Sequence, residues 1–267
     1  MYLGGNTAWF QIRLQANAAG LARRTIVCYK DAAADPVADP TLKTTNFAFL
    51  PTPYPENMTT GLGFVKGCSW AGAQPRPDTP SVVMRAEHWA FAGTGLVRGA
   101  GYGGAYIGYE CDAADFVLGA ADQRAYPTGV DGSPATLRIL AVADATDWNA
   151  KSLALGGSGE LSGHAMVAVF SRGGSAGTVF NAGATDWAYG LRPELDGLTP
   201  TPISRITRNA IDKLSSPWAE SADVRQYRSL VGNAALCWYG TGTSAPAGSG
   251  LALDGWVFNA LALPVTG

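Results

Sequence analysis

Charge is scarce in this chain, and histidine scarcer still. Asp, Glu, Lys and Arg make up 15% of its 267 residues, where about 25% is ordinary for a soluble domain, while apolar residues reach 47%. Disorder needs the reverse balance of low hydrophobicity and high net charge, so a disordered chain is excluded. Nineteen basic and 21 acidic residues leave a net charge of -2. The basic ones are scattered, which gives no electrostatic footprint for nucleic acid. The longest apolar runs, such as Ala165 to Phe170, hold about six residues where a membrane span needs about 20. No transmembrane helix is expected. Only His88 and His164 are available for imidazole chemistry.

Cysteine is also sparse. Cys28, Cys68, Cys111 and Cys237 are spaced by 40, 43 and 126 residues, and no Cys-x-x-Cys pair occurs. A structural zinc site is therefore not expected, and the wide spacing does not fit a small disulfide-stapled scaffold. Free, mostly buried thiols follow, and with them a reducing, cytoplasmic setting. Glycine and proline, by contrast, are plentiful, at 34 and 16 residues without a period. They predict many short elements joined by turns.

Met1-Tyr2-Leu3 reads as the end of a strand and Gly4-Gly5-Asn6 as the turn leaving it, which suggests first elements lying before this chain. Arg24 to Tyr29 is β-branched and aromatic, a strand pattern. Further strands are expected at Trp89 to Leu96, Ala105 to Tyr109 and Thr136 to Ala143. Asp31 to Pro55 reads as an irregular excursion and Gln74 to Pro80 as a loop. The clearest signal is a hairpin of His164 to Ser171 with Thr178 to Asn181, turned at Arg172 to Gly177. The clearest helix spans Pro202 to Ser216, with Thr201 as cap and Ile203, Ile206, Ala210 and Leu214 on one face. A second helix over Glu220 to Tyr239, a Gly/Ser/Ala/Pro stretch from Gly240 to Gly250 and an apolar tail over Leu251 to Pro264 complete the chain. Strands early and helices late make the class mixed α and β.

Two literal motif matches lack the setting they need. Gly99-Ala-Gly101-Tyr-Gly-Gly104 fits a dinucleotide fingerprint, but a strand-like segment follows where a helix should. Gly173-Gly-Ser175-Ala-Gly177 fits a nucleophile elbow, but it falls in a hairpin turn. His164 is a better candidate. It opens an apolar strand after the glycine-rich Gly156 to Gly163, either as a catalytic imidazole or as a ring satisfying a backbone carbonyl. Strand alternation through Ile107 to Asp112 puts Glu110 and Asp112 on one face and Tyr109 and Cys111 on the other. Two acids on one face suit a metal, acid–base work or a solvated edge. Cys111 could serve as a nucleophile only with a base such as His164 in reach. Asp186, in Asn181 to Trp187, either orients His164 or caps a turn.

Seven segments in order resemble the C-terminal domain of the N,N-dimethylformamidase large-subunit family. They are Tyr2 to Gln11, Val27 to Asp31, His88 to Leu96, Ile107 to Asp112, Gly163 to Met166, Thr178 to Leu191 and Ile206 to Asn209. The resemblance spans residues 1 to 216, while 217 to 267 form a C-terminal part without a counterpart. It implies a flavodoxin-like, class I glutamine amidotransferase-like three-layer sandwich with β-rich insertions, lacking its first strands. It further implies amide hydrolysis at a mononuclear iron held by tyrosines and by the glutamate of a His-x-Glu motif. In this chain the motif reads His164-Ala165-Met166, and Trp9 stands where a tyrosine is expected. Neither is an oxygen ligand for so hard a metal. The glutamine amidotransferase cysteine has no equivalent near Asn6-Thr7.

The expectation is a dimethylformamidase-like domain hydrolysing a C–N bond of a small amide, with His164 as base and Asn6, Glu110 and Asp186 as polar or acidic partners. The alternative is a non-catalytic binding or assembly domain. A partner subunit or a second copy fits either. A thiol hydrolase built on Cys111 and His164 ranks last, because Cys111 sits on no recognisable elbow.

Overall fold

The structure is a computed structural model, and it describes residues 1–51, 54–69, 78–146, 163–172, 177–192 and 201–215. The expected second helix, the glycine-rich stretch and apolar tail after it, the hairpin turn at 173–176 and most of the glycine loop before His164 lie outside the described residues. The chain divides into two units, Met1–Leu214 and Ser215–Gly267. The fold described belongs to the first.

Its centre is dictated by two apolar strands, β9 (Arg138–Asp144) and β10 (His164–Ser171). Both read as nearly continuous apolar runs and are buried on both faces, so both must lie inside a sheet. They pair antiparallel, and β11 (Thr178–Asn181) closes the predicted hairpin on β10. Adding β4 (Ser81–Val83) and β5 (Gly101–Tyr102) gives the order β11-β10-β9-β4-β5. Tyr2 joins the outer side of β11 through a single isolated parallel bridge to Asn181.

One face of β10 carries Val167 and Val169, which pack with Phe180, Trp187, Ile203, Ile206 and Ala210. Three of these come from α2 (Pro202–Ser215), which forms as its sequence predicts. The Thr201 hydroxyl accepts the Ser204 N–H at 3.2 Å and donates to the Gly190 carbonyl at 2.6 Å. The helix is tied to the 3-10 turn that follows β11 by a bond from Trp187 Nε1 to Thr207 Oγ1 at 2.9 Å. Burying each isoleucine contributes about 1.5–3 kcal/mol.

Met166, Ala168 and Phe170 of β10 pack instead with Leu62, Ala113, Ala114 and Ile139. A two-stranded ribbon supplies this cover: β3 (Gly63–Ser69) with β6 (Glu110–Ala113), preceded by the single turn α1 (Asn57–Thr60). Two more ribbons, β1 (Arg13–Gln15) with β2 (Thr25–Val27) and β7 (Phe116–Leu118) with β8 (Ala125–Pro127), complete the strands.

Two expected strands are not strands. Trp89–Phe91 is a short 3-10 turn, because the His88 ring accepts the Ala90 N–H at 3.3 Å and Gly93 and Gly95 turn the chain at positive φ. Gly104–Tyr106 is likewise a 3-10 turn, opened by Gly103 at φ 71°, and the strand starts later, at Glu110. The class is mixed α and β, as expected. The described residues are richer in β-structure than a three-layer sandwich, and every ladder between named strands is antiparallel.

Candidate functional site

The polar site lies where the chain leaves the sheet edge at Tyr2. Gly5 presses onto β6 so closely that a Cβ there would lie 2.3 Å from the Glu110 carbonyl oxygen. Asn6 follows at φ 53°, a left-handed conformation that asparagine tolerates better than most residues. This turn aims both ends of Asn6 at β6. Its N–H donates to Asp112 Oδ1 at 2.8 Å, and its Nδ2 donates to Glu110 Oε1 at 3.2 Å. Glu110 and Asp112 therefore do share a face, as strand alternation predicts.

Asp112 is buried, with 1% of its surface exposed. Burial pushes its carboxyl up to about 7, against the Asn6 N–H bond, with the charges of Glu56 and Glu110 adding to the rise. Glu56, just before α1, is the acid that sequence reasoning misses. Its Oε1 accepts the Phe64 N–H at 2.8 Å and rests against Gly63, while Oε2 is buried without a hydrogen-bond partner. Burial, set against hydrogen bonds from its own N–H and that of Phe64, raises it to about 7 as well. Among the described residues no Lys or Arg forms an ion pair with Glu56, Glu110 or Asp112. Near neutrality this is a carboxyl cluster able to hold or release a proton.

The other expected residues fall elsewhere. Asp186 opens a 3-10 turn over Thr185–Leu191, is 5% exposed and donates its N–H to the Gly108 carbonyl. It lies close enough to Cys111 for its charge to act on that thiol. Cys111 belongs to a closed cluster with Cys68, Ile107, Ala143, Ala145, Ala165 and Ala184. Burial first, then Cys68, Asp112 and Asp186, hold its thiol far above the ordinary range. That environment opposes the thiolate a nucleophile requires.

His164 follows Gly163, whose φ of 75° and contact with the Thr146 backbone leave no room for a side chain. Its ring stands edge-on to Phe116 at 5.1 Å, and its cross-strand neighbour is Asp144. Asn6 is bonded to Glu110 and to Asp112. The set expected from sequence is thus brought together in part: Asn6 and Glu110, with Asp112 and Glu56 as the further members.

The iron implied by the resemblance can be tested against the donors present. Two residues after His164, Met166 is 1% exposed among apolar side chains, and its sulfur accepts the Ala114 N–H at 3.4 Å. Trp9 is packed edge-on to Phe64 at 5.0 Å and to Phe10 at 6.2 Å. A thioether in an apolar cluster and an indole between phenyl rings do not fit a hard metal. Among the described residues no three His, Cys, Asp or Glu converge to hold a metal ion.

The fold and site define a mixed α/β domain with a buried carboxyl cluster at the edge of its main sheet. The chain belongs to the N,N-dimethylformamidase beta subunit-like, C-terminal domain family, whose model matches residues 1–200. A comparison with curated proteins finds no match. Among the described residues no helix is long and apolar enough to cross a membrane.

Proposed function

We propose that this dimethylformamidase-like domain keeps its family's fold and acts as a binding or assembly module, without iron-dependent amide hydrolysis. The observation that carries this reading is Met166. Its sulfur is buried and hydrogen-bonded in an apolar cluster at the position where the family resemblance calls for a carboxylate. The family is described as beta subunit-like, which supports a partner subunit, or a second copy, as what the module assembles with. The flavodoxin-like sandwich remains part of the proposal, supported by the parallel bridge at Tyr2 and by α2 packed on the main sheet.

The second reading is hydrolysis of a C–N bond in a small amide by His164, Asn6, Glu110 and Asp186. It is favoured by the Asn6–Glu110 bond and by an adjacent acid, Asp112, that titrates near neutrality. Elemental analysis of the purified chain, with formamide and acetamide hydrolysis assayed alongside, separates the two. The module reading predicts no stoichiometric iron or zinc and no turnover. Metal that is lost in His164→Ala, together with amide hydrolysis, would reverse the order. A Trp9→Tyr, Met166→Glu variant is expected to acquire metal affinity absent from the parent, if those two positions are what abolished the site.

A further inference from the structure

Cys68 and Cys111 are direct cross-strand partners in the antiparallel pair of β3 and β6, with Ser69 facing Glu110 next to them. Both thiols are free and 0% exposed. Directly opposed residues on antiparallel strands have Cα atoms about 4.5–5.5 Å apart, within the roughly 4.4–6.8 Å that a disulfide spans. The backbones are held tightly at this point. A Cβ on Gly67 would lie 1.7 Å from the Cys111 carbonyl oxygen, so only glycine permits the approach. The Cys68 Sγ also lies 3.7 Å from the His164 carbonyl oxygen, which keeps it at the inner side of the ribbon.

We infer that Cys68 and Cys111 form a redox-sensitive pair that closes into a cross-strand disulfide. The oxidant is a small disulfide of the glutathione type. One thiolate attacks it to give a mixed disulfide and release one small thiol. The second thiolate then displaces the other small thiol and forms the Cys68–Cys111 bond. Two protons and two electrons leave the protein, and the oxidant is reduced to two thiols. Both thiols are buried, and burial holds the Cys111 thiol in its protonated form, so exchange proceeds slowly and through opening of the β3–β6 ribbon. The consequence reaches the carboxyl cluster. Cys111 sits between Glu110 and Asp112, so the bond fixes the strand that holds both acids against Asn6.

The test uses the full chain, incubated with oxidised glutathione in native buffer and, separately, during refolding from denaturant. Remaining thiols are alkylated under denaturing conditions, and unreduced peptides are mapped by mass spectrometry. The expected product carries two alkyl groups fewer, a single Cys68–Cys111 linkage, and a thermal midpoint several degrees higher that dithiothreitol reverses. In Cys68→Ala both the linkage and the shift are absent. Four alkylated cysteines under both conditions, or linkage through Cys28 or Cys237 in its place, would overturn the inference.

Discussion

Asp35 and Asp112 are equally buried, each with 1% of its surface exposed, yet their surroundings drive them in opposite directions. Asp35 receives the Arg13 guanidinium through two bonds, of 2.8 and 3.0 Å. The Thr44 N–H and hydroxyl and the Val37 N–H complete its shell. The guanidinium first, and then these donors, hold it far below the usual carboxylate range. Asp112 has the Asn6 N–H and, among the described residues, no cation paired with it, feels the charges of Glu56 and Glu110, and rises to about 7. Depth alone therefore does not decide the charge of a buried acid. The partner does. The first arrangement staples the β1–β2 region to the segment around Thr44. The second stores a proton at the sheet edge, which is why the candidate site is placed at Asp112.

The sharpest way to break the comparison is to take the cation from Asp35. Arg13→Ala leaves a carboxylate buried with three hydrogen-bond donors and without its ion-pair partner, and it is expected to cause the largest loss of thermal midpoint at neutral pH. Adding Asp35→Asn should recover part of that loss, because the amide needs no counter-charge. The pH dependence follows from the depressed carboxyl. Its contribution is present above about pH 4, the ordinary aspartate value, and is lost as pH falls below it. If Arg13→Ala costs no more than the exposed Arg24→Ala, the pairing contributes nothing.

A smaller effect with the opposite pH sign is expected at the other site. Asp112 and Glu56 hold protons in the folded state that the unfolded chain releases near pH 4. Stability should therefore fall as pH rises from about 4 to about 7, with the deficit persisting above that. A rise to about 7 corresponds to on the order of 4 kcal/mol at most for Asp112, and less for Glu56. The two do not add, because the charge of Glu56 is part of what raises Asp112. Asp112→Asn keeps an oxygen for the Asn6 N–H and removes the titration. Denaturant unfolding between pH 4.5 and 8 should show a flatter profile for this variant and greater stability above pH 7. A profile parallel to that of the parent chain would sink the assignment.

Legibility in the sequence followed the strength of the local pattern. The β10–β11 hairpin and α2 carry sustained alternation or helical spacing with their own turn and cap residues, and they form where expected. β3 was not legible, because two glycines and Lys66 interrupt its apolar residues and its register shifts along β6. The strand expected around Trp89 failed because its aromatic composition hid the cap made by the preceding His88. At the site, alternation was enough to set Glu110 beside Asp112. Glu56 was out of reach, since its charge is brought to bear on Asp112 only by the tertiary fold and no local pattern marks it. Met166 reads as an anomaly in sequence, and the apolar cluster around it supplies the physical reason it is tolerated.

The smallest effect tests the residue that joins the cluster to the chain's first turn. Asn6→Ala removes the bond to Glu110 and forces alanine to adopt φ near 53°, while its backbone N–H can still reach Asp112. Asn6→Gly loses the same side-chain bond but tolerates the left-handed turn. The glycine variant should therefore be the more stable of the two by about 1 kcal/mol, somewhat offset by the greater freedom of glycine in the unfolded chain. Asn6→Asp adds a third carboxyl beside Glu110 and Asp112, so its cost should grow as pH rises through 7 and shrink toward pH 4. Equal stabilities for the alanine and glycine variants would mean that the turn relaxes without strain. A pH-independent cost for the aspartate variant would mean that Asn6 does not face the carboxyls as a group.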